Sequence, residues 1–504
     1  MKYSLDDTIA AISTPQGIGG IGIVRLSGIK SIEIAETIFK STFHKTLLDL
    51  PTHTTHHGWI KTNSEFIDEV MVTILKKPHS YTGEDTIEIS AHGGPVVLGK
   101  ILDLCIEKGA RPAEKGEFTF RAFIKGKMDL AKAESVAELI CSKTESAAKA
   151  SANQLKGILS KKVEAWRKKL VEILSKVEAA LDHTEENIQF IQKDELKNTL
   201  SLLLEEVSDI LKTADKGKLL RDGLKISIIG KPNSGKSSLL NALLERERAI
   251  VTDIPGTTRD ILEESLELKG IPLVIVDTAG IRAHAQDIVE KIGQEKTKEA
   301  ALSSDIILFI LDSSVSFSDE DKQIADLLTD NSLIEKTIFV WNKTDLPLKI
   351  NSEEILKLLP NKLPNVRPVR ENERFTNKNG GIAFSSNSMI SIQQRESATF
   401  SNGVKISAVK RTGLDSLEDA IVSFAHLEKE QKNTPLLITL RHKNVLERAS
   451  KDLKEALEAS QRNESEEFIA FHIRNSLNIL GEITGETVTE EILDNIFSKF
   501  CIGK

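Results

Sequence analysis

The sequence predicts a multidomain chain of mixed α/β and α+β class, and three observations predict it. Short apolar runs of strand length fill roughly the first quarter of the chain. Stripes at helical spacing lie on both sides of a central block. The central block opens with an apolar run, a glycine-rich turn and a helical run. At 504 residues the chain is too long for one core and suggests about three domains. The apolar fraction of 40% and charged fraction of 28% are those of a soluble globular protein.

Residues 1–127 read as a β-rich α+β domain. Strands are expected at 8–12, 22–26, 69–75 and 86–90, and a helix at 96–108. The string Gly17-Ile18-Gly19-Gly20-Ile21-Gly22 matches a dinucleotide-binding pattern. A strand, not a helix, is expected after it, which argues against that reading. His53, His56 and His57 cluster without a cysteine or acid to complete a metal set.

Residues 128–221 and 429–504 read as one helical domain built from two stretches of chain. Leu170, Ile173, Leu174, Val177 and Leu181 form one stripe, and Leu203, Val207, Ile210 and Leu211 a second. Val445, Ala449, Leu453 and Leu457 step by four on the far side of the central block. The basic run from Lys161 to Lys169 reads as a solvated helix face before it reads as a nucleic-acid patch.

The central block, 222–428, carries the clearest chemistry. Gly230-Lys231-Pro232-Asn233-Ser234-Gly235-Lys236-Ser237 fits a phosphate-binding loop, G-x-x-x-x-G-K-[ST], and Ser238 continues into the helix. A strand feeding a glycine turn and a helix N-terminus aims backbone N–H groups at one point. Lys236 adds a charge for the outer phosphates, and the Ser237 hydroxyl is a ligand for Mg²⁺. Downstream, Asn342-Lys343-Thr344-Asp345 follows another apolar run. A carboxylate at Asp345 accepts from guanine N1–H and its 2-amino group, a donor pair that adenine lacks. Ser407, Ala408 and Val409 are expected to add a backbone contact to the base. Together these motifs predict an inserted Ras-like P-loop GTPase domain that binds GTP.

Two loops between them should sense the γ-phosphate. Asp277-Thr278-Ala279-Gly280 ends an apolar strand, with Asp277 reaching Mg²⁺ through water and the Gly280 N–H meeting the phosphate. Thr252-Asp253-Ile254-Pro255-Gly256-Thr257-Thr258-Arg259-Asp260 is a loop by its proline and glycine. One of its threonines completes the Mg²⁺ shell, and Thr258 is the position taken. Such loops order on the γ-phosphate. The residue after Gly280 is Ile281, where many GTPases place a glutamine that orients the attacking water. Isoleucine cannot do so, and neither Arg259 nor Arg282 stands out as an arginine finger.

Several distant strings now point one way. They are the switch from Thr252 to Asp260 and the segment Glu290-Lys291-Ile292-Gly293. To these are added Tyr81-Thr82-Gly83-Glu84-Asp85, Ala91-His92-Gly93-Gly94-Pro95, Gly116-Glu117-Phe118 with Arg121-Ala122-Phe123, and Phe500-Cys501-Ile502-Gly503-Lys504. In that order, over nearly the whole chain, the sequence resembles the MnmE (TrmE) family of tRNA-modification GTPases. The resemblance implies a K⁺ ion beside the phosphates, held by Asn233, Thr252, Thr257 and the backbone of Ile254. That ion does the work of an arginine finger and helps two G domains pair. Glu290 is then the catalytic residue that orients water. The resemblance also implies a 5,10-methylenetetrahydrofolate donor, with 5-formyltetrahydrofolate as an analogue, bound by Arg25, Glu88, Lys127 and Lys504. Arginine and lysine suit folate's carboxylates, and Glu88 suits the pterin edge. It further implies a homodimer through the N-terminal domains. A heterotetramer with the flavoprotein MnmG (GidA), which carries the FAD, and action on the wobble uridine of certain tRNAs complete the expectation.

The remaining readings are exclusions and departures. Three cysteines, Cys105, Cys141 and Cys501, show no paired or metal spacing, which suits a reducing cytoplasm. Cys501 is open to a structural or a reactive reading. A net charge of −8 argues against coating nucleic acid by bulk charge, not against a local tRNA patch. The acidic start does not read as a signal peptide, Gly503 and Lys504 do not suit a prenylation box, and no apolar run is long enough to span a membrane. Residues 370–403, rich in Asn, Ser, Arg and Gly, read as a disordered insertion where most relatives have a short link. A non-catalytic assembly factor using GTP as a switch is the second reading. It expects an RNA module such as a KH fold, and no such module is legible here.

Overall fold

The computed structural model describes residues 6–42, 46–62, 65–182, 193–246, 263–269, 271–276, 298–350, 403–424 and 438–504. Contacts divide the chain into two units. One joins Met1–Ser142, Ala148–Ala214 and Leu436–Lys504; the other joins Lys143–Ala147 to Asp215–Pro435.

The first unit opens with strands β1 (Ile9–Ile12), β2 (Gly19–Ser27), β3 (Phe39–Ser41), β4 (Thr54–Lys61), β5 (Phe66–Leu75), β6 (Thr86–Gly93) and β7 (Arg111–Pro112). They form a sheet in the order β3-β4-β5-β6-β2-β1-β7, antiparallel except for β1 with β7. Alternation sets its register. Val70, Val72 and Ile74 of β5 are buried, while Glu69 and Met71 on the alternate positions are exposed. Helices α1 (Ser31–Ile38) and α2 (Pro95–Glu107) bury Ile34, Ile38, Leu98 and Ile101 in the same core. The glycine string at 17–22 runs directly into β2, so no helix N-terminus follows it.

Helices α3 (Glu117–Ile124), α4 (Leu130–Ile140), α5 (Glu145–Leu155), α6 (Ile158–Asp182) and α7 (Lys193–Asp222) come next. The central module then begins with β8 (Leu224–Ile229) and α8 (Lys236–Arg246). It continues through β9 (Glu263–Leu268), β10 (Ile271–Val276), β11 (Ile306–Asp312) and α9 (Asp319–Asp330). It ends with β12 (Thr337–Asn342), β13 (Val404–Lys405) and α10 (Leu414–Phe424). Its sheet order is β13-β12-β11-β8-β10-β9, parallel except for the β9–β10 pair. Both faces are covered, which explains why β11 is apolar at every position up to Leu311. Ile306, Leu308 and Ile310 pack with α8 and α10, whereas Ile307, Phe309 and Leu311 pack with α9. β8 lies between β10 and β11, so its C-terminal end falls where the strand order reverses, the usual place for a ligand in such sheets.

Helices α11 (Leu440–Gln461), α12 (Glu466–Thr484) and α13 (Glu490–Phe497) close the chain. α6, α7, α11 and α12 share one core, and the stripes read from the sequence supply it: Leu170 and Val177, Leu203 and Val207, Ala449 and Leu453. Trp166 is buried there, and its Nε1–H donates to Glu206. Of the basic run, Arg167 pairs with Glu486 and Lys169 with Glu206. Among the described residues no helix is long and apolar enough to cross a membrane. The expectations for 183–192 and for 370–402 lie outside the described residues.

A buried charge cluster ties α4 to α11. Arg441 Nε and Nη2 donate to the two oxygens of Glu134 at 2.9 and 2.7 Å. His442 Nδ1 accepts from the Thr439 N–H, so Nε2 carries the proton that meets Glu134 at 2.7 Å. Burial holds the His442 imidazole below its ordinary pKa, consistent with that neutral tautomer. Burial alone pushes the Glu134 carboxyl up; the adjoining imidazole and guanidinium outweigh it and hold the pKa at about 2.

A second arginine on α11 provides a control. Arg448 grips Glu482 through two bonds of 2.9 Å, but its side chain is 55% exposed, against 18% for Arg441. Arg441→Ala should cost about 3–5 kcal/mol because it strands a buried carboxylate. Arg448→Ala should cost less than about 1 kcal/mol. Chemical denaturation of the two variants checks this, and equal losses would refute it. The lowered Glu134 pKa also fixes a sign. Its stabilisation is complete above about 4.5 and is lost as pH falls toward about 2. Glu134→Gln should flatten that part of the stability–pH curve.

Candidate functional sites

The phosphate loop forms where the sequence places it, between β8 and α8. Asn233 and Gly235 both take left-handed backbone, at φ 59° and 98°. Gly235 is required twice over. Its φ disfavours a side chain, and a Cβ there would lie 2.1 Å from Asn342 Nδ2. Lys236 Nζ donates to the carbonyls of Gly230 and Lys231, each at 2.8 Å. Burial lowers its pKa. Ser237 is partly exposed in the first turn of α8 and Ser238 is exposed beside it. Backbone N–H groups in this turn have no intrahelical partners. Ser234 is fully buried, and its Oγ has no hydrogen-bond partner among the described residues.

Asn342 joins this loop to the base-recognition loops. Its Nδ2 donates to the Ser234 carbonyl at 2.9 Å, and its Oδ1 accepts from the Ala408 N–H at 3.1 Å. Its own carbonyl accepts from the Ser313 hydroxyl at 2.6 Å. Lys343, at φ 62°, donates to Asp312 at 2.6 Å. Burial raises the Asp312 pKa, but bonds from Lys343 and Ser314 outweigh it, and the carboxyl sits below its usual range. Asp345 is exposed, and its Oδ1 accepts from the Ser407 hydroxyl at 2.6 Å. That bond is the main cause of its lowered pKa, so Asp345 is an ionised acceptor at neutral pH. Ala408 is buried and Val409 is 78% exposed.

Thus the structure brings Ser234, Gly235, Asn342 and Ala408 together, and Asp345 with Ser407. Thr252, Asp253, Ile254, Pro255, Gly256, Thr257, Thr258, Asp277, Thr278, Ala279, Gly280 and Glu290 lie outside the described residues. The sequence reading missed Asp312 and Ser313. Nothing in the sequence marks them, because the pairing that sets Asp312 beside Asn342 is a property of the sheet.

A second constellation lies on the N-terminal sheet. Arg25 on β2 faces Glu88 on β6 in register, and its Nε donates to Glu88 Oε1 at 2.9 Å. Arg25 Nη1 donates to the Gly503 carbonyl at 3.1 Å, where the Ser13 hydroxyl also donates at 3.2 Å. Gly503 has φ 92°, and a Cβ there would lie 2.7 Å from the Ile12 carbonyl, so only glycine allows this approach. The Arg25 guanidinium lies 5.6 Å from the Phe118 ring centroid and 5.9 Å from that of Tyr81. Lys504 Nζ lies 5.9 Å from the Tyr81 centroid, and burial and the nearby Arg25 lower its pKa against the pull of Glu88. Lys127 makes a different contact, donating to the Pro78 carbonyl at 2.9 Å and running beside Gly83. Tyr81 entered the sequence reading only within a longer string; its hydroxyl is paired with Thr119 at 2.9 Å.

A strand–glycine loop–helix unit at the switch point of a parallel sheet, with an ionised aspartate in the base-recognition loop, defines a P-loop GTPase. Family comparisons extend that assignment to the whole chain. Residues 8–127 match the model for the GTP-binding protein TrmE N-terminus, and residues 130–501 the model for the MnmE helical domain. The tRNA modification GTPase MnmE of Clostridioides difficile is 45% identical over 501 residues, covering 99% of this chain and 100% of that protein. Those of Alkaliphilus oremlandii and Desulforamulus reducens are each 41% identical, with the same coverage. The G domain of the Thermotoga maritima FeoB iron transporter aligns at 21% identity over 40% of this chain and 98% of its own, with a TM-score of 0.25. The chain belongs to the MnmE family of tRNA modification GTPases.

Asn342→Ala should leave the Ser234 carbonyl and the Ala408 N–H unpaired, at about 1–3 kcal/mol for each buried group. Gly235→Ala should abolish binding of a fluorescent guanine nucleotide. Retained binding in Gly235→Ala would show that the loop tolerates a geometry other than the one described.

Proposed function

We propose that this GTPase is activated by K⁺ and acts with a flavoprotein partner, MnmG (GidA), on the wobble uridine of certain tRNAs. The product is an aminomethyl or carboxymethylaminomethyl group at C5. The one-carbon unit comes from 5,10-methylenetetrahydrofolate, and FAD resides on the partner. The chain works in the cytoplasm as a homodimer through residues 1–127, and as a heterotetramer with the partner. The helical domain comprises 128–221 and 429–504, with the G domain at 222–428 between them.

The observation that carries the folate half is the meeting of Arg25, Glu88 and Lys504, which come from opposite ends of the sequence. Two cations and one carboxylate suit a ligand with carboxylates at one end and an amino-substituted pterin at the other. The described bonds from Arg25 to Glu88 all fall on Oε1, which suits a carboxylate that pairs through its second oxygen. Lys127 belongs to the same set by the family pattern.

The nucleotide half rests on the loop geometry. Ser237 offers a hydroxyl to Mg²⁺, with Thr258 as the second side-chain ligand. Asn233 is exposed in the loop and offers a neutral oxygen, the donor type a monovalent cation takes, alongside Thr252, Thr257 and the Ile254 carbonyl. Positive charge there offsets the charge that develops on the transferring phosphoryl group. Glu290 orients the water in place of the glutamine that Ile281 replaces.

GTP turnover should rise strongly in K⁺ and not in Na⁺, and Glu290→Ala should lose most turnover while keeping GTP affinity. Equal rates in both salts would overturn the ion's role. Deleting Lys504 should abolish wobble modification in a tRNA nucleoside assay with turnover intact; unchanged modification would exclude the folate assignment.

A further inference from the structure

Lys231, the second residue of the phosphate loop, reaches away from the loop into the start of α9. Its Nζ donates to Asp321 Oδ2 at 2.6 Å and to Ser318 Oγ at 3.1 Å. Ser318 and Asp321 form the capping box of α9, and Asp321 Oδ2 also accepts from the Ser318 N–H at 3.1 Å and hydroxyl at 2.8 Å. A capping box satisfies helix donors by itself and needs no cation. Here the Asp321 side chain is 1% exposed and that of Lys231 is 12% exposed. Asp321 Oδ1 is buried with no hydrogen-bond partner among the described residues. A carboxylate so placed depends on its counter-ion.

The same lysine is tied at its main chain. Its carbonyl accepts from Lys236 Nζ at 2.8 Å, and two residues later Asn233 takes left-handed backbone. We infer that Asp321 is a positioning residue for the phosphate loop: through Lys231 it pins the loop's first half to α9, and so sets where Lys236 and the loop N–H groups meet the nucleotide. This rests on the nucleotide reading of the loop.

The test measures binding of fluorescent GDP and GTP analogues to the full chain, with thermal unfolding in parallel. Asp321→Asn and Lys231→Met should each weaken binding about tenfold, the low end of what loss of an outer-shell partner costs a metal site. The double variant should lose no more than the weaker-binding single one. Lys231→Arg, which keeps the ion pair, should bind within about twofold of wild type, as expected where a cation and not a particular shape is needed. Wild-type affinity in Asp321→Asn and Lys231→Met, even with a lowered unfolding midpoint, would overturn the inference by reducing the pair to a helix anchor. Tenfold weaker binding in Lys231→Arg would do the same. A wild-type chain that bound neither analogue would instead overturn the nucleotide reading, so the two failures are distinguishable.

Discussion

The G module depends on one buried amide. Asn342 donates to the phosphate loop through Ser234 and accepts from the base loop through Ala408. Neither loop has regular structure to hold it, and 234 and 408 lie far apart in sequence. A side chain with one donor end and one acceptor end is the smallest device that can bridge a carbonyl to an N–H. The glycine at 235 follows from the same constraint, because the amide occupies the space a side chain would need. A motif often read as a base-recognition signature is thus also a structural joint.

The fold was legible in the sequence where local pattern decides it. The apolar run at 69–75 predicted β5, and the four-residue steps of Val445, Ala449 and Leu453 predicted α11 and the stripe it buries. The strand, glycine turn and helix around Lys236 were equally plain. Pattern alone did not reveal what pairs with what. Asp312 became informative only once β11 lay beside β12 and put its carboxylate next to Lys343. Arg25 and Glu88 read as ordinary strand residues, because their register partnership is a property of the sheet. Family resemblance named them, and Lys504, without supplying the reason. In the structure the Gly503 carbonyl, next to Lys504, accepts from the Arg25 guanidinium.

The two modules handle charge differently. The G module leaves Asp345 exposed and ionised. The N-terminal domain instead gathers two arginines and three carboxylates into one ion-paired cluster around the buried Glu117. Arg121 is fully buried and bonded to Asp7, Glu84 and Glu117, and Arg111 also grips Glu117 through two bonds. Removing one member of such a group would strand a buried charge. The cluster holds α3, and with it Thr119, against the loop that presents Tyr81.

The bond from Arg25 to Gly503 spans 478 positions. A ribosome making this chain delivers β2 and β6 early, and the partner of their guanidinium only hundreds of codons later. Until then Arg25, on an interior strand of the sheet, has Glu88 beside it but not the Gly503 carbonyl. The contact therefore forms only after every module between residues 25 and 503 has been made.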